Sequence, residues 1–183
     1  MGKLTASMAR IVMGGLNTDG LKTYVCRLAG ERVYGDLCEA SYQSKAMERG
    51  DQLESDALDW YEFNHDVPIV RQQHIDHPTI PMVAATPDGI ADDHVVEAKS
   101  PLFHTWAETK ERRTIPAEYR WQCAWQAWCA GKSWGRFVAY HPTHGGQGVV
   151  VPFELTKFLI EEMTERVVIV EALIRNWVEV FRG

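Results

Sequence analysis

Asp88, Glu97 and Lys99 are the side chains whose types and spacing can do chemistry. Pro87-Asp88-Gly89 is a turn signal, and Val95-Val96-Glu97-Ala98-Lys99 reads as a strand. Residues two apart in a strand share a face, so Glu97 and Lys99 project together while Ala98 projects away. Asp92-Asp93-His94 reads as a hairpin loop. If the strands it joins are paired, Asp88 comes beside Glu97. Two carboxylates about 4 Å apart repel by about 4 kcal/mol at an effective dielectric of about 20. A divalent cation between them removes that penalty, and a few hard oxygen ligands suit Mg²⁺ or Mn²⁺. A neighbouring lysine can then orient or activate a water and offset charge on a phosphorane. The plain alternative is a common Pro-Asp-Gly turn next to a chance Glu-x-Lys.

The surrounding elements must position these residues. Thr5-Ala6-Ser7 reads as a hydroxyl cap on a short helix, Met8–Met13, stopped by Gly14-Gly15. A second helix is expected over Leu21–Leu28, followed by a break at Gly30–Gly35. A longer helix over Lys45–Phe63 carries Met47, Leu53, Ala57, Trp60 and Tyr61 near helical spacing, and Asn64-His65-Asp66 ends it. Strands follow at Val67–Gln72, Met82–Thr86 and Val95–Lys99. A Trp-rich helix is expected over Pro116–Ala130, with strands at Arg136–Tyr140 and Val149–Leu155. From Thr156 to Phe181, apolar residues including Phe158, Leu159, Met163, Val167, Val170, Ile174, Trp177 and Phe181 recur at helical spacing, which predicts a packing face. This order predicts an α+β fold, a mixed central β-sheet flanked by helices.

Composition sets the outer bounds. The chain has 183 residues, 45% apolar and 24% charged, with seven Trp, six Tyr and six Phe. These values exclude disorder as the main state and fit one domain with a real core. The net charge of −6 argues against a protein that coats DNA with its whole surface, though not against a local basic surface beside an acidic metal site. Cys26, Cys38, Cys123 and Cys129 show no CxxC spacing and are expected as free thiols in a reducing cytoplasm. No secretory signal or membrane span is expected.

Four segments in order carry a resemblance. Thr86-Pro87-Asp88-Gly89 with Glu97-Ala98-Lys99-Ser100-Pro101 resembles the PD-(D/E)xK nuclease core, and more narrowly that of the phage lambda exonuclease and YqaJ-type viral recombinase family. Leu4-Thr5-Ala6-Ser7 is similar to the family's Thr-Ala-Ser motif, and Arg49–Glu54 to its helical Gly-x-x-x-Glu motif. Tyr119–Gln122 with Trp125–Trp128 resembles its Gln-bearing helix. The likeness spans about Leu4 to Pro142 and implies a restriction-endonuclease-like fold, with a catalytic core at about 45–142 and a C-terminal packing helix at about 156–181.

The resemblance implies roles residue by residue. Asp88 and Glu97 would ligate one or two Mg²⁺ or Mn²⁺ ions by side chain, Ala98 by its backbone carbonyl, and Glu54 would support a second metal or its water. Lys99 would activate or orient the attacking water. Ser7, Thr86 and Gln122 match positions around the 5′ phosphate of DNA. Plainer readings remain for each: Glu54 as a solvated helix residue, Ser7 as a cap, Thr86 as a strand residue and Gln122 as a surface amide. The family's upstream Trp and Arg have no counterpart before Thr5-Ala6-Ser7, so Lys3, Arg10 or another basic residue would substitute unless the numbered chain starts late. Trp121, Trp125 and Trp128 are expected in the core rather than stacked on bases.

Lys110, Arg112, Arg113 and Arg120 form a basic cluster in an expected loop or helix entrance, read either as a solvated charged face or as DNA contacts. The family implies a homotrimeric ring threaded by duplex DNA, and a single-strand-annealing protein as partner. The expected function is a Mg²⁺-dependent 5′→3′ double-strand DNA exonuclease of phage or prophage recombination, acting in the bacterial cytoplasm and leaving 3′ overhangs. A site-specific endonuclease or RecB-like nuclease module is the rival within the fold. A non-catalytic DNA-end-binding protein is the rival outside it.

Overall fold

The computed structural model describes residues 2–35, 45–143 and 145–183. The chain opens with β1 (Leu4–Thr5), a single 3₁₀ turn (Ala6–Met8), α1 (Ala9–Val12), α2 (Asp19–Tyr34) and α3 (Lys45–His65). The middle holds β2 (Val70–Arg71), β3 (Ile75–Asp76), β4 (Val83–Ala85), β5 (Gly89–Ile90) and β6 (Val95–Lys99). It closes with α4 (Phe103–Arg112), α5 (Arg120–Cys129), β7 (Trp134–His141), β8 (Gln147–Glu154) and α6 (Lys157–Arg182).

The larger sheet has the order β2-β5-β6-β7-β8, and a small sheet has the order β1-β4-β3. In the larger sheet β6 and β7 run parallel and the other neighbours antiparallel, so the sheet is mixed, as expected. One face of β6 and β7, carrying Val96, Ala98, Val138 and Tyr140, packs on Ala57, Leu58 and Tyr61 of α3. The other, carrying Phe137 and Ala139 with Val149 and Val151 of β8, packs on Cys123 of α5 and on Trp106 and Ile115. A further core joins α1, α2, α5 and α6, with Trp125 at its centre, its indole N–H donating to Ala84 O at 3.2 Å. Helices therefore cover both faces of the sheet. This is the α+β, PD-(D/E)xK-type arrangement that the sequence implied.

Several elements differ from the sequence reading. The Thr-Ala-Ser hydroxyl does not cap α1; Met8 stands at that position, and Ser7 Oγ instead meets Thr5 Oγ1 at 3.3 Å. α2 passes through the expected break at Gly30, because Thr18 caps its start and burial against neighbouring helices outweighs the poor helix propensity of glycine. It ends at Gly35, left-handed at φ 71°. The strand expected at Val67–Gln72 shrinks to two residues, and β3 was not expected at all. Lys110–Arg112 form the last turn of α4 rather than a loop, and Arg113 caps it with φ 51°. On α6, Phe158 and Trp177 of the expected stripe are exposed and Val178 is buried instead. Trp125 and Trp128 are buried and Trp121 packs partly against the core, which is the expected core role. Cys26, Cys123 and Cys129 are free thiols, and Cys38 lies outside the described residues. Among the described residues no helix is long and apolar enough to cross a membrane.

Candidate active site

β5 and β6 form the hairpin expected around Asp92–His94, with Gly89 opposite Val96 and Ile90 opposite Val95. One step back along that register Asp88 faces Glu97. Asp88 Oδ2 accepts the Ala98 N–H at 2.8 Å, so this carboxylate closes the open end of the hairpin. The Gln72 N–H donates to Asp88 O at 3.2 Å from the other side, and Gln72 holds an uncommon positive φ of 49° to do so.

Glu97 is fully buried. Its Oε2 accepts a hydrogen bond from Gln126 Nε2 of α5, itself buried. Its Oε1 makes no hydrogen bond but lies 3.0 Å from Lys99 Nζ. The Lys99 ammonium donates to Glu54 Oε1 at 2.6 Å and to Ala98 O at 3.0 Å, and stands 3.7 Å from Asp88 Oδ2. The four groups expected as metal ligands therefore surround one positive charge. α3 supplies Glu54, β6 supplies Glu97, Ala98 and Lys99, and the turn before β5 supplies Asp88.

Burial, and then repulsion from the Glu97 carboxylate, push the Asp88 carboxyl up to about 7, against the opposing pull of Lys99 and the Ala98 N–H. Burial alone would lower Lys99, but Glu97, Asp88 and Glu54 outweigh it and hold the ammonium above its ordinary value. In this arrangement Lys99 is a proton donor and a point charge, not a base. Among the described residues no three Asp, Glu, His or Cys side chains form a finished metal cage. Mg²⁺ does not require one, since it commonly takes one or two carboxylates and completes its shell with water and phosphate. The donors here are all oxygen, already grouped about a cation, and one buried carboxylate oxygen lacks a hydrogen bond. That set fits a hard divalent ion.

The residues expected near a 5′ phosphate lie on or beside elements that pack together, the 3₁₀ turn, β4 and α5. β1 runs parallel to β4, with Leu4 opposite Val83 and Thr5 opposite Ala84. Ser7 follows β1 in the 3₁₀ turn, which packs against β4 and α5, and Thr86 follows β4; both are exposed. Thr86 Oγ1 meets His74 Nδ1 at 3.4 Å. Gln122 lies half-buried on α5, one turn before Gln126 and on the same side of the helix. Of the proposed basic substitutes, Lys3 is engaged with Asp76 at 2.6 Å, and Arg10 is exposed on α1. Arg112 and Arg113 lie at the end of α4 and Arg120 at the start of α5. Arg112 and Arg120 share a 470 Å³ cleft with Glu108 and Glu118. Arg120 Nε donates to Ile115 O at 3.1 Å.

Four residues beside the site carry no role in the sequence reading. The family likeness points to Gln122, yet Gln126, an amide inside an apolar, Trp-rich helix, is itself a signal of a buried partner. Arg71 and Gln72 line a 170 Å³ cleft with Glu54 and Asp88, and Arg71 is tied to Asp59 at 2.6 Å and to Glu62. Tyr119, stacked on Phe137 at 5.4 Å, lies near enough to feel Lys99, Glu97 and Glu54; burial first, then Glu118, raises its hydroxyl.

Comparison with known proteins bears on this geometry. A family model described as the YqaJ-like viral recombinase domain matches residues 1–133. The crystal structure of an alkaline exonuclease from Laribacter hongkongensis superposes with a TM-score of 0.86 at 30% identity, covering 99% of this chain and 92% of that one. The same enzyme in complex with dAMP matches equally well. A phage-related exonuclease from Haemophilus somnus 129PT shares the fold at 15% identity, with a TM-score of 0.72 over 98% of this chain and 95% of that one. No curated protein sequence matches the chain.

Proposed function

The chain belongs to the YqaJ-like viral recombinase family, and on that premise we propose that it is a Mg²⁺- or Mn²⁺-dependent 5′→3′ exonuclease that resects linear duplex DNA. Its product would be a 3′ single-stranded overhang for phage-type recombination by annealing, made in the bacterial cytoplasm, with an annealing protein as partner and a homotrimer as the working assembly. The observation that carries this reading is the convergence of Glu54, Asp88, Glu97 and the Ala98 carbonyl on the Lys99 ammonium. The neighbour at 30% identity is named an alkaline exonuclease, which agrees with the chemistry of that cluster.

Asp88, Glu97 and the Ala98 carbonyl would hold the divalent ion, with Glu54 beside them. The ion would supply Lewis-acid stabilisation of the phosphate oxygens. Gln126 donates to Glu97 Oε2 and so orients the buried carboxylate. Asp88 is fixed by the Ala98 N–H. Lys99 orients the water that attacks in line and offsets charge on the phosphorane. Ser7, Thr86 and Gln122 supply hydroxyl and amide donors for the terminal phosphate, and Arg112, Arg113 and Arg120 supply positive charge for the approaching duplex.

End-labelled linear duplex incubated with Mg²⁺, beside a closed circular control, tests the reading. Loss of label from 5′ ends with the circle untouched is expected. Cutting of the circle would establish the endonuclease reading instead, and binding without any hydrolysis would establish the end-binding one.

A further inference from the structure

α3 covers the middle of one sheet face and leaves its outer margin, over β7 and β8, open. There a groove of about 430 Å³ runs between Trp60 and His65 of α3, Trp134 and Arg136 of β7, and Pro152 of β8, with Arg113 at its rim. Gly148 forms part of the floor, and a Cβ there would lie 2.2 Å from the Trp60 ring, so the glycine leaves the space this indole occupies.

The Arg136 guanidinium is fixed before any ligand arrives. It lies 5.7 Å from the Tyr61 ring centre and 5.4 Å from that of Trp134, and donates to Tyr61 Oη at 3.0 Å. Tyr61 Oη in turn bonds His94 Nε2 at 2.8 Å, and His94 Nδ1 bonds Asp93 at 2.6 Å. His94 stacks on Trp134 at 4.3 Å. This chain positions the cation without a direct ion pair: among the described residues no carboxylate lies within ion-pair distance of Arg136, and Asp93, bonded to His94, acts on it only from further off. The groove lining includes no carboxylate. Burial, then the Arg136 charge, lower the exposed His65, so the groove stays positive chiefly through its arginines.

We propose that this groove binds a single strand of DNA, its phosphate on Arg136 and Arg113 and its bases against Trp60 and Trp134. Two arginines in a groove whose lining holds no carboxylate, interleaved with aromatic rings in a chain of net charge −6, are what a sequence-tolerant single-strand site requires. The location suits the proposed resection. Trp60 and His65 lie about 9 and 16 Å beyond Glu54 along α3 at about 1.5 Å per residue. That equals about three to five base-pair steps of duplex at roughly 3.4 Å each, and fewer nucleotides of an extended single strand. The groove would thus hold single-stranded DNA close to where the duplex is opened, a role that rests on the nuclease reading although the binding itself does not.

The test is fluorescence anisotropy of a labelled circular oligodeoxythymidylate in EDTA, which has no 5′ end to engage Ser7, Thr86 or Gln122 and cannot be hydrolysed. The wild-type protein is expected to bind it. Arg136→Gln and His65→Glu are each expected to weaken binding about tenfold or more and to flatten its salt dependence. His65→Glu adds an internal anion beside Arg136 at an exposed position, so it decides the matter if Arg136→Gln fails to fold. Wild-type affinity in a folded variant, no binding by the wild type, or equally tight displacement by free thymidine monophosphate would each overturn the proposal. Hydrolysis is absent from this measurement, so its failure leaves the digestion experiment untouched.

Discussion

Lys99 stands 2.6 Å from Glu54 and 3.0 Å from Glu97, and it supplies the positive charge among these carboxylates. Lys99→Ala leaves the buried Glu97 without its counter-ion, a change that costs about 3–5 kcal/mol in comparable buried pairs. The variant should melt lower in EDTA, and its turnover on linear duplex should fall about 10²–10⁴-fold, measured by single-turnover digestion. Unchanged turnover would remove Lys99 from the mechanism. Asp88 makes a separate prediction. The folded protein keeps the Asp88 proton up to about 7, whereas an unfolded chain releases it near pH 4. Between those values the folded state binds more protons, so metal-free stability declines as pH rises through that window. Asp88→Asn should flatten that decline in melts at pH 5 and pH 7.5 with EDTA, and should abolish Mg²⁺-dependent cleavage. A slope equal to that of the wild type would assign the effect to another group.

At the scale of elements, what the sequence revealed depended on how local the signal was. The hairpin around Asp92–His94, α3 and α6 were legible because turn chemistry and periodic burial are written within a few residues. The register of β5 on β6 then aligned Asp88 with Glu97 without further information. Elements set by distant partners were not legible. β3 is two residues long and exists because β4 offers its edge to Ile75 and Asp76. An amide inside the apolar α5 signals a buried partner, but that the partner of Gln126 is Glu97 shows only in the packing. Ser7 and Thr86, 79 positions apart in sequence, follow β1 and β4, whose parallel pairing no local pattern announces. Gly135 is another such case: it lies just outside the strand expected at Arg136–Tyr140, yet a Cβ there would lie 2.3 Å from Phe153 and 2.8 Å from Val95 on the flanking strands. Gly135→Ala should therefore destabilise the protein by about 1–3 kcal/mol through overpacking, measured by urea denaturation with an unchanged m-value. A neutral effect would mean that Phe153 moves aside without cost.

For the whole molecule, the central quantity is a net charge of −6 on a protein proposed to act on DNA. Part of that acidity is concentrated at Glu54, Asp88 and Glu97, where Lys99 offsets it locally and a divalent ion would do so further. The positive residues lie elsewhere: Arg112 and Arg113 at the end of α4, Arg120 at the start of α5, and Arg136 in its aromatic groove. Duplex attraction would then depend on a few local cations rather than on a diffuse field, and a subunit of 20.8 kDa would present too few to surround a duplex without assembling with other copies. Counterion release makes this measurable. Each phosphate contact contributes about −0.9 to the slope of log K against log salt. Replacing both Arg112 and Arg113 with Gln should make the slope for blunt duplex binding in EDTA shallower by about 1.8, while their exposure leaves the fold intact. An unchanged slope would reduce the pair to a solvated face and move the duplex path to other cations.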